Sequence, residues 1–404
     1  MFDMGKRGVG VCLLFTSASA LAGGVLTCPQ RNFSPDLFEM YEKWNGGYQD
    51  VLNKSLSEIM LLADRGDPRA SAAVAKRILE GEDKTLSPDH ALSYLESAKA
   101  AEDPLALYLS GMLERKGHRL RRNLSQAHKD FQKAADFGYV PAKASVAADY
   151  MIGSGVKTDF TKAHSYAQSA LDEGYQGAAQ LLGVMYSKGL GVPKDETKGF
   201  QLSKRAASIG HPAAQFDVAR ALLFGEGVAP DRDAAYLYAQ HSYCSGVKLA
   251  GMMLGKIELE KHSPESTALA IKYYSELSDD ENSDANLVLA DIYLDPAYGQ
   301  YDLDRALYYL SKAAKSGSED AKYRWGAALL RFGRNSGDHA LSEKILLECA
   351  TSGDVRAQYD LGVAYSRGSE FKEDKENAKR WFERAAAKGS VEAEAALGEL
   401  QHKN

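Results

Sequence analysis

The sequence predicts an all-α fold, a solenoid of stacked helix hairpins, on three observations. First, the 404-residue chain repeats itself: GYQGAAQLLGVMYSKGLGVPKDETKGFQLSKRAASIG from Gly174 is followed by GHPAAQFDVARALLFGEGVAPDRDAAYLYAQHSYCSG from Gly210. Second, unit ends fall at Gly66, Glu102, Gly138, Gly174, Gly210 and Gly246, then at Glu281, Gly317, Gly353 and Gly389, at steps of 36 with a single step of 35. Third, an alanine stands four residues beyond every unit end, from Ala70 to Ala393, and a small residue stands nine beyond, from Ala75 to Gly398. A period of this length marks an array whose units bury their apolar stripes only by stacking.

Within a unit, the first half (AAQLLGVMYSKG) has helical spacing and stops at a glycine suited to a left-handed C-terminal cap, at Gly81, Gly117, Gly153, Gly189, Gly225 and Gly368. A turn such as GLGVPKDETKG follows, and a polar residue opens the second helix. Small residues five apart on the first helix let its neighbour approach closely, while Val74, Leu182, Val218, Leu254, Leu289, Trp325, Leu361 and Leu397 fill the remaining gap. The array spans 66–388 on this reading. Residues 23–65 form an N-terminal helical cap, with Ser34 and Pro35 opening SPDLFEMYEKW, and 389–404 form a C-terminal capping helix. Irregular turns at 261–265, 279–284 and 332–338 interrupt the pattern.

Residues 1–22 read as a cleaved secretory signal: Lys6 and Arg7 precede the apolar run from Val9 to Phe15, and Ala20-Leu21-Ala22 supplies the cleavage site. A retained anchor is the rival reading. No later segment is long and apolar enough to span a bilayer. The mature chain is therefore expected in the periplasm or secreted. The net charge of -6 and pI near 5.9 give no global basic field, which disfavours nucleic acid as a partner. Cys244 and Cys349 fall three units apart, roughly 30 Å at about 10 Å per layer. A disulfide tolerates about 7 Å between Cα atoms, so no disulfide framework is expected.

The pattern A-x-x-x-L-G-x-x-Y-x-x-G-x-G-V-x-x-D, carried by Ala178, Leu182, Gly183, Tyr186, Gly189, Gly191, Val192 and Asp195, resembles the Sel1-like repeat family, a relative of tetratricopeptide arrays. The unit from Gly353 repeats it with Ala357, Leu361, Gly362, Tyr365 and Gly368, whereas the units from Gly246 and Gly317 match poorly in their loops. The resemblance implies a right-handed α-solenoid of about nine repeats plus terminal caps, acting as an adaptor or scaffold for protein partners. A cysteine-rich branch of the family is linked to peptidoglycan chemistry; this chain lacks its cysteines.

On a helical wheel, positions 4, 8, 9 and 12 after the unit end share one arc, and positions 3, 6, 10 and 13 lie opposite, on the expected inner face. That face offers Tyr108, Phe216, Met252, Tyr323 and Tyr359 at position 6, with Arg220 and Lys256 at position 10, a mixture of the kind that makes interface hot spots. The rival reading packs the apolar ones against the next hairpin. A second candidate is the turn RKGHRLRR, where Arg115, Arg119, Arg121 and Arg122 replace the usual G-x-G-V and suit an anionic polysaccharide or cell-wall surface; a plain solvated loop is the alternative.

Enzymatic constellations are weak. Ser154-x-x-Lys157 and Ser245-x-x-Lys248 straddle the repeat's own glycines and lack the partners of a penicillin-recognising serine site. No H-E-x-x-H or phosphate-binding loop occurs. The expectation is a non-catalytic scaffold of the bacterial envelope that needs no cofactor or metal; the alternative is a protein acting on cell wall or polysaccharide.

Overall fold

The computed structural model describes residues 48–82, 86–117, 119–279 and 281–402. The expected signal segment, most of the N-terminal cap and Cys28 lie outside these residues. Among them no strand occurs: they form 21 α-helices and a short 3-10 turn at Pro296–Tyr298. After α1 (Gln49–Leu52) and α2 (Leu56–Asp64) come nine hairpins. They are α3/α4 (Pro68–Leu79, Pro88–Ala100), α5/α6 (Pro104–Lys116, Leu124–Asp136), α7/α8 (Val140–Ile152, Phe160–Asp172), α9/α10 (Ala178–Lys188, Glu196–Ser208) and α11/α12 (Pro212–Phe224, Arg232–Cys244). The remainder are α13/α14 (Ala250–Leu259, Pro264–Asp279), α15/α16 (Ser283–Leu294, Leu303–Lys315), α17/α18 (Glu319–Phe332, Ser336–Ser352) and α19/α20 (Val355–Arg367, Lys375–Ala386), before α21 (Val391–His402).

Each helix packs against its hairpin partner and against the helix of the next unit. All ten position-4 alanines are fully buried. At two of the position-9 glycines a methyl group would collide with the second helix: a Cβ on Gly111 would lie 2.8 Å from the Phe131 ring, and one on Gly362 2.6 Å from Phe382. Backbone there meets aromatic ring directly, and the two helices pack closely.

The repeated turn has an internal logic. The first helix ends in a left-handed glycine, and the chain returns so that Asp195 donates its N–H to the Tyr186 carbonyl at 2.8 Å while its carboxylate accepts from the Lys198 N–H at 2.9 Å, opening the second helix. Asp159, Asp231 and Asp374 do the same, and Asn123 fills the role in the divergent RKGHRLRR turn. The second glycine of G-x-G sits against the preceding unit: a Cβ on Gly227 would penetrate the Glu196 carbonyl of α10. The loop thereby sets the register between hairpins as well as closing one.

Left-handed geometry persists where the glycine is lost. Glu102 and Glu281 keep φ of 57° and 60°. In the irregular turns, His262 adopts φ of 53°, and Asn335 caps α18 by accepting from Gly337 and Asp338. Cys349 is a buried free thiol, so Cys244 and Cys349 do not pair. Cys244 is itself in a disulfide whose partner lies outside the described residues, which corrects the expectation of none.

Two stability outcomes follow. Gly227→Ala and Gly210→Ala impose a similar left-handed strain, but only the first inserts a methyl into a neighbouring carbonyl, since space beside Gly210 is open. Gly227→Ala should lose about 1–3 kcal/mol more than Gly210→Ala in urea unfolding; equal midpoints would remove the register role given to this loop. Glu281→Gly should gain about 1 kcal/mol by relieving the left-handed strain of a side-chain-bearing residue.

Candidate partner-binding face

First helices of neighbouring hairpins touch directly, as in α3 with α5, α7 with α9, α9 with α11 and α17 with α19, whereas no second helix contacts the next second helix to a comparable degree. First helices therefore gather on the inner side of the array. What each contributes there is decided by how its side chains meet the next first helix.

Position 6 turns toward that neighbour. Gln180 donates from its side-chain amide to Asp217 of the following unit at 2.8 Å, and Tyr323 donates its hydroxyl to Asp360 at 3.0 Å, the same step of 37 residues. Burial pushes both carboxyls above the ordinary aspartate range, against the opposing pull of those hydrogen bonds. Tyr323 is also covered by the Arg356 guanidinium, 4.1 Å from the ring centroid. Half-buried Tyr359 packs on Phe382 at 5.8 Å. Tyr323 thus joins successive hairpins and Tyr359 packs within its own, and part of each ring stays open. Tyr108 corrects the sequence reading: it is 2% exposed, wedged between Phe131 and Tyr139 with ring centroids 5.8 and 5.1 Å away, and belongs to the core.

The middle of the array is different. Phe216 and Met252 are half-buried neighbours at position 6 of α11 and α13, flanked by exposed Leu249. Arg220 is ion-paired with Glu226, and the exposed Lys256 ammonium stands 4.7 Å over the ring of Phe224. The structure brings these four predicted residues together on one face.

The arginine-rich turn divides. Arg115 is structural: it donates to the buried Asp149 at 2.8 Å, and its guanidinium lies 4.3 Å over the Phe131 ring. Arg119, Arg121 and Arg122 are exposed, and the last two border an open hollow of about 460 Å³ with Glu114, Leu120 and Asn123. At Ser154 the backbone N–H is committed to the Asp149 carbonyl at 3.0 Å in the repeat's own turn, and Ser245 is the C-cap of α12, so both serines sit in structural positions.

Two features escaped the sequence reading. One is the position 7 carboxylate, Asp217 or Asp360, which joins successive first helices. The other is position 14, which in four successive units is the last residue of the first helix before a left-handed glycine, where Lys116, Ile152, Lys188 and Phe224 are all exposed. Extending the wheel by one residue would have placed position 14 between positions 3 and 7 on the open face.

Among the described residues no group of three or more His, Cys, Asp or Glu side chains could hold a metal, and no helix is long and apolar enough to cross a membrane. Nine helix hairpins stacked in register define a helical-repeat protein. The Sel1 repeat model matches residues 104–139, 141–175, 177–211, 212–246, 283–318 and 355–390, together more than half of the chain, and passes over the divergent units after Gly246 and Gly317. This protein belongs to the Sel1 repeat family, whose members generally mediate protein–protein interactions as non-catalytic scaffolds.

Among solved structures, a protective antigen present in uropathogenic Escherichia coli strains, displaying an SLR fold, is 24% identical over 86% of this chain and 82% of its own, with a TM-score of 0.51. A Sel1 repeat protein from Oxalobacter formigenes is 21% identical over 92% and 95%, with a TM-score of 0.34. An immunity protein from Pseudomonas aeruginosa is 23% identical over 52% and 81%, with a TM-score of 0.36. No curated protein matches the chain in sequence.

The raised carboxyl of Asp360 has a signed consequence. A carboxyl whose folded pKa lies above its unfolded value contributes stability that is complete below the unfolded pKa and is lost as pH rises through the folded one. Asp360→Asn keeps an acceptor for Tyr323 and removes the buried charge. Its unfolding midpoint should exceed the wild type's at pH 7 and converge with it near about pH 4. An Asn variant less stable than wild type at pH 7 would show that the charge itself is needed.

Proposed function

We propose that this chain is a non-catalytic scaffold of the bacterial envelope or secreted fraction, which holds protein partners against the inner face of its solenoid. The observation that carries this reading is the central patch, where Phe216, Leu249, Met252 and Phe224 keep apolar surface in reach of solvent beside Lys256. Apolar area of that kind, rimmed by charge, is the usual composition of an interface core. Location outside the cytoplasm rests on the basic, apolar and A-x-A succession that ends at Ala22.

A second reading has its own support. Exposed Arg119, Arg121 and Arg122 are grouped on one turn beside an open hollow, a surface that suits carboxylates or phosphates of a glycan polymer.

A photo-crosslinking amino acid placed at Met252 should trap a partner from the native envelope fraction, while the same group at exposed Leu237 of α12, on a second helix, should trap none. Equal products from both positions would count against the inner face. N-terminal sequencing of the envelope-resident protein should begin at Gly23; recovery of the uncleaved chain from the cytoplasm would refute the localisation. Charge reversal of the three arginines should leave the Met252 product intact if the glycan reading is separate.

A further inference from the structure

We infer that the turn from Arg119 to Asn123 is a binding site for an acidic sugar residue of a polysaccharide, with the acid group held by the guanidinium groups of Arg121 and Arg122 and the sugar ring against Leu120. This rests on the glycan reading, the second one given above, and names the group that the turn recognises.

The turn departs from its counterparts at one defined place. In the turns that begin at Gly153, Gly189 and Gly225, a second left-handed glycine follows two residues later: Gly155, Gly191 and Gly227, with φ of 71°, 70° and 71°. Arg119 occupies that place in the turn after Gly117 and keeps φ at 64°. Left-handed backbone is disfavoured for a residue that carries a Cβ, so nothing in the folding of the turn calls for arginine there. A Cβ on Gly155 would strike the Leu124 carbonyl of the preceding unit, and one on Gly191 would strike Phe160. An arginine cannot make that approach, so this turn does without the register contact that its counterparts keep.

The charge on the turn is open. Arg119, Arg121 and Arg122 are exposed, and among the described residues no carboxylate, hydrogen-bond acceptor or aromatic ring engages their side chains. Arg115, committed to Asp149, and Lys116, which has a partner, are not counted with them. Arg121 and Arg122 border the open hollow of about 460 Å³ with Glu114, Leu120 and Asn123. Glu114 is the acid of that lining: its Oε1 accepts from the Lys99 ammonium at 3.2 Å, and its Oε2 is closed off from solvent. The Asn123 side-chain carbonyl already accepts from the Gln126 N–H at 3.1 Å, so what Asn123 has left to offer is its amide N–H groups. A ligand therefore meets donors, two guanidinium forks and an amide, beside the partly buried side chain of Leu120.

Size and chemistry together select the class of ligand. Guanidinium forks take carboxylate or phosphate oxygens in pairs. The hollow has the volume of a small-molecule site, more than a lone anion fills, and Leu120 gives it an apolar wall that the C–H face of a sugar ring can cover. The hydroxyls of a neutral sugar need acceptors as well as donors, and this lining supplies donors. A sugar that carries an acid satisfies both the guanidinium groups and the apolar wall. Arg119 stands two residues from Arg121, about 7 Å at extended spacing, where it reaches the acid of the next sugar along a polymer.

The test uses the full mature chain and fluorescein-labelled hexasaccharides: a hexagalacturonate, a mannose hexamer phosphorylated on its terminal residue, and an uncharged galactose hexamer. Hexaglutamate serves as an acid without a sugar. Fluorescence anisotropy should show an acidic hexasaccharide binding at least about tenfold more tightly than both the galactose hexamer and hexaglutamate, weakening as salt rises. Which of the two acidic sugars binds separates carboxylate from phosphate. Arg121→Ala and Arg122→Ala should each weaken that binding by about tenfold. Arg119→Gly should weaken it while raising the thermal midpoint, since it restores the glycine of the other turns; Lys272→Ala, exposed on α14, should leave binding unchanged. Unchanged affinity in the Arg121→Ala/Arg122→Ala double variant overturns the site. Hexaglutamate bound as tightly as the acidic sugars overturns the sugar assignment and leaves the broader anionic reading standing. Phosphatidylglycerol vesicles bound in preference to the sugars, and lost in the same double variant, would give the arginines to a lipid surface and overturn the glycan. Failure of every acidic probe removes both this inference and the glycan reading, while the Met252 crosslink still judges the inner face separately.

Discussion

The closeness with which the two helices of a hairpin approach one another is the constraint from which the rest of this structure follows. At Gly111, Gly255 and Gly362 the second helix lays an aromatic ring on bare backbone, and at Gly183 it brings Gly199 and Ser203 into the same space. At those points of closest approach the ring comes from the second helix, as Phe131, Tyr274 or Phe382, while buried first-helix residues such as Leu182, Leu254 and Leu289 fill the space beside the glycine. A hairpin packed in this way still has an apolar flank, and only the next hairpin covers it. The loop glycine that touches the preceding unit, as Gly227 touches Glu196, turns that need into a fixed register.

Polar groups buried by such stacking must find partners along the array. Near the N-terminal end, Asp149 receives both Arg115 and His128, the latter at 3.1 Å, and Asp130 receives Gln126 and the Lys99 ammonium. Each of these clusters joins different helices. Breaking one by removing a single partner strands a buried charge, at a cost of about 3–5 kcal/mol. The arginine run at the start of the divergent turn is thus partly an internal fixture, and its first member cannot be counted as ligand surface. A charge run in sequence gives no indication of which member points inward.

This division explains what could be read from the residues alone. The period, the alanine column, the glycine caps and the aspartate that opens each second helix are local or strictly repeated, so the sequence displays them directly, and the six matched units follow the same register. The contacts between successive first helices are not repeated. Position 6 is Gln180 in one unit, Phe216 in the next and Tyr323 three units later, and an aspartate of the following unit serves two of them: Asp217 takes the amide and Asp360 the phenol. A helical wheel reports direction relative to a helix's own partner, not what lies across the gap. Tyr108 was assigned to the open face for that reason, and Tyr139 fills the gap it faces.

Position 14 was overlooked for a related reason. It lies at the end of the helix, where a sequence reading treats the helix as finished, and Lys116, Ile152, Lys188, Phe224 and Glu260 are exposed alike. Residues bound by the hairpin contact cannot vary without loss of fold, and residues that bridge neighbours can vary only in matched pairs. The terminal position carries contacts of its own, Phe224 under the Lys256 ammonium and Glu260 paired with Arg232, yet its residue type differs from unit to unit. In an array whose hairpin contacts are fixed by close packing, variation between units is concentrated at positions outside those contacts, and the helix ends are among them.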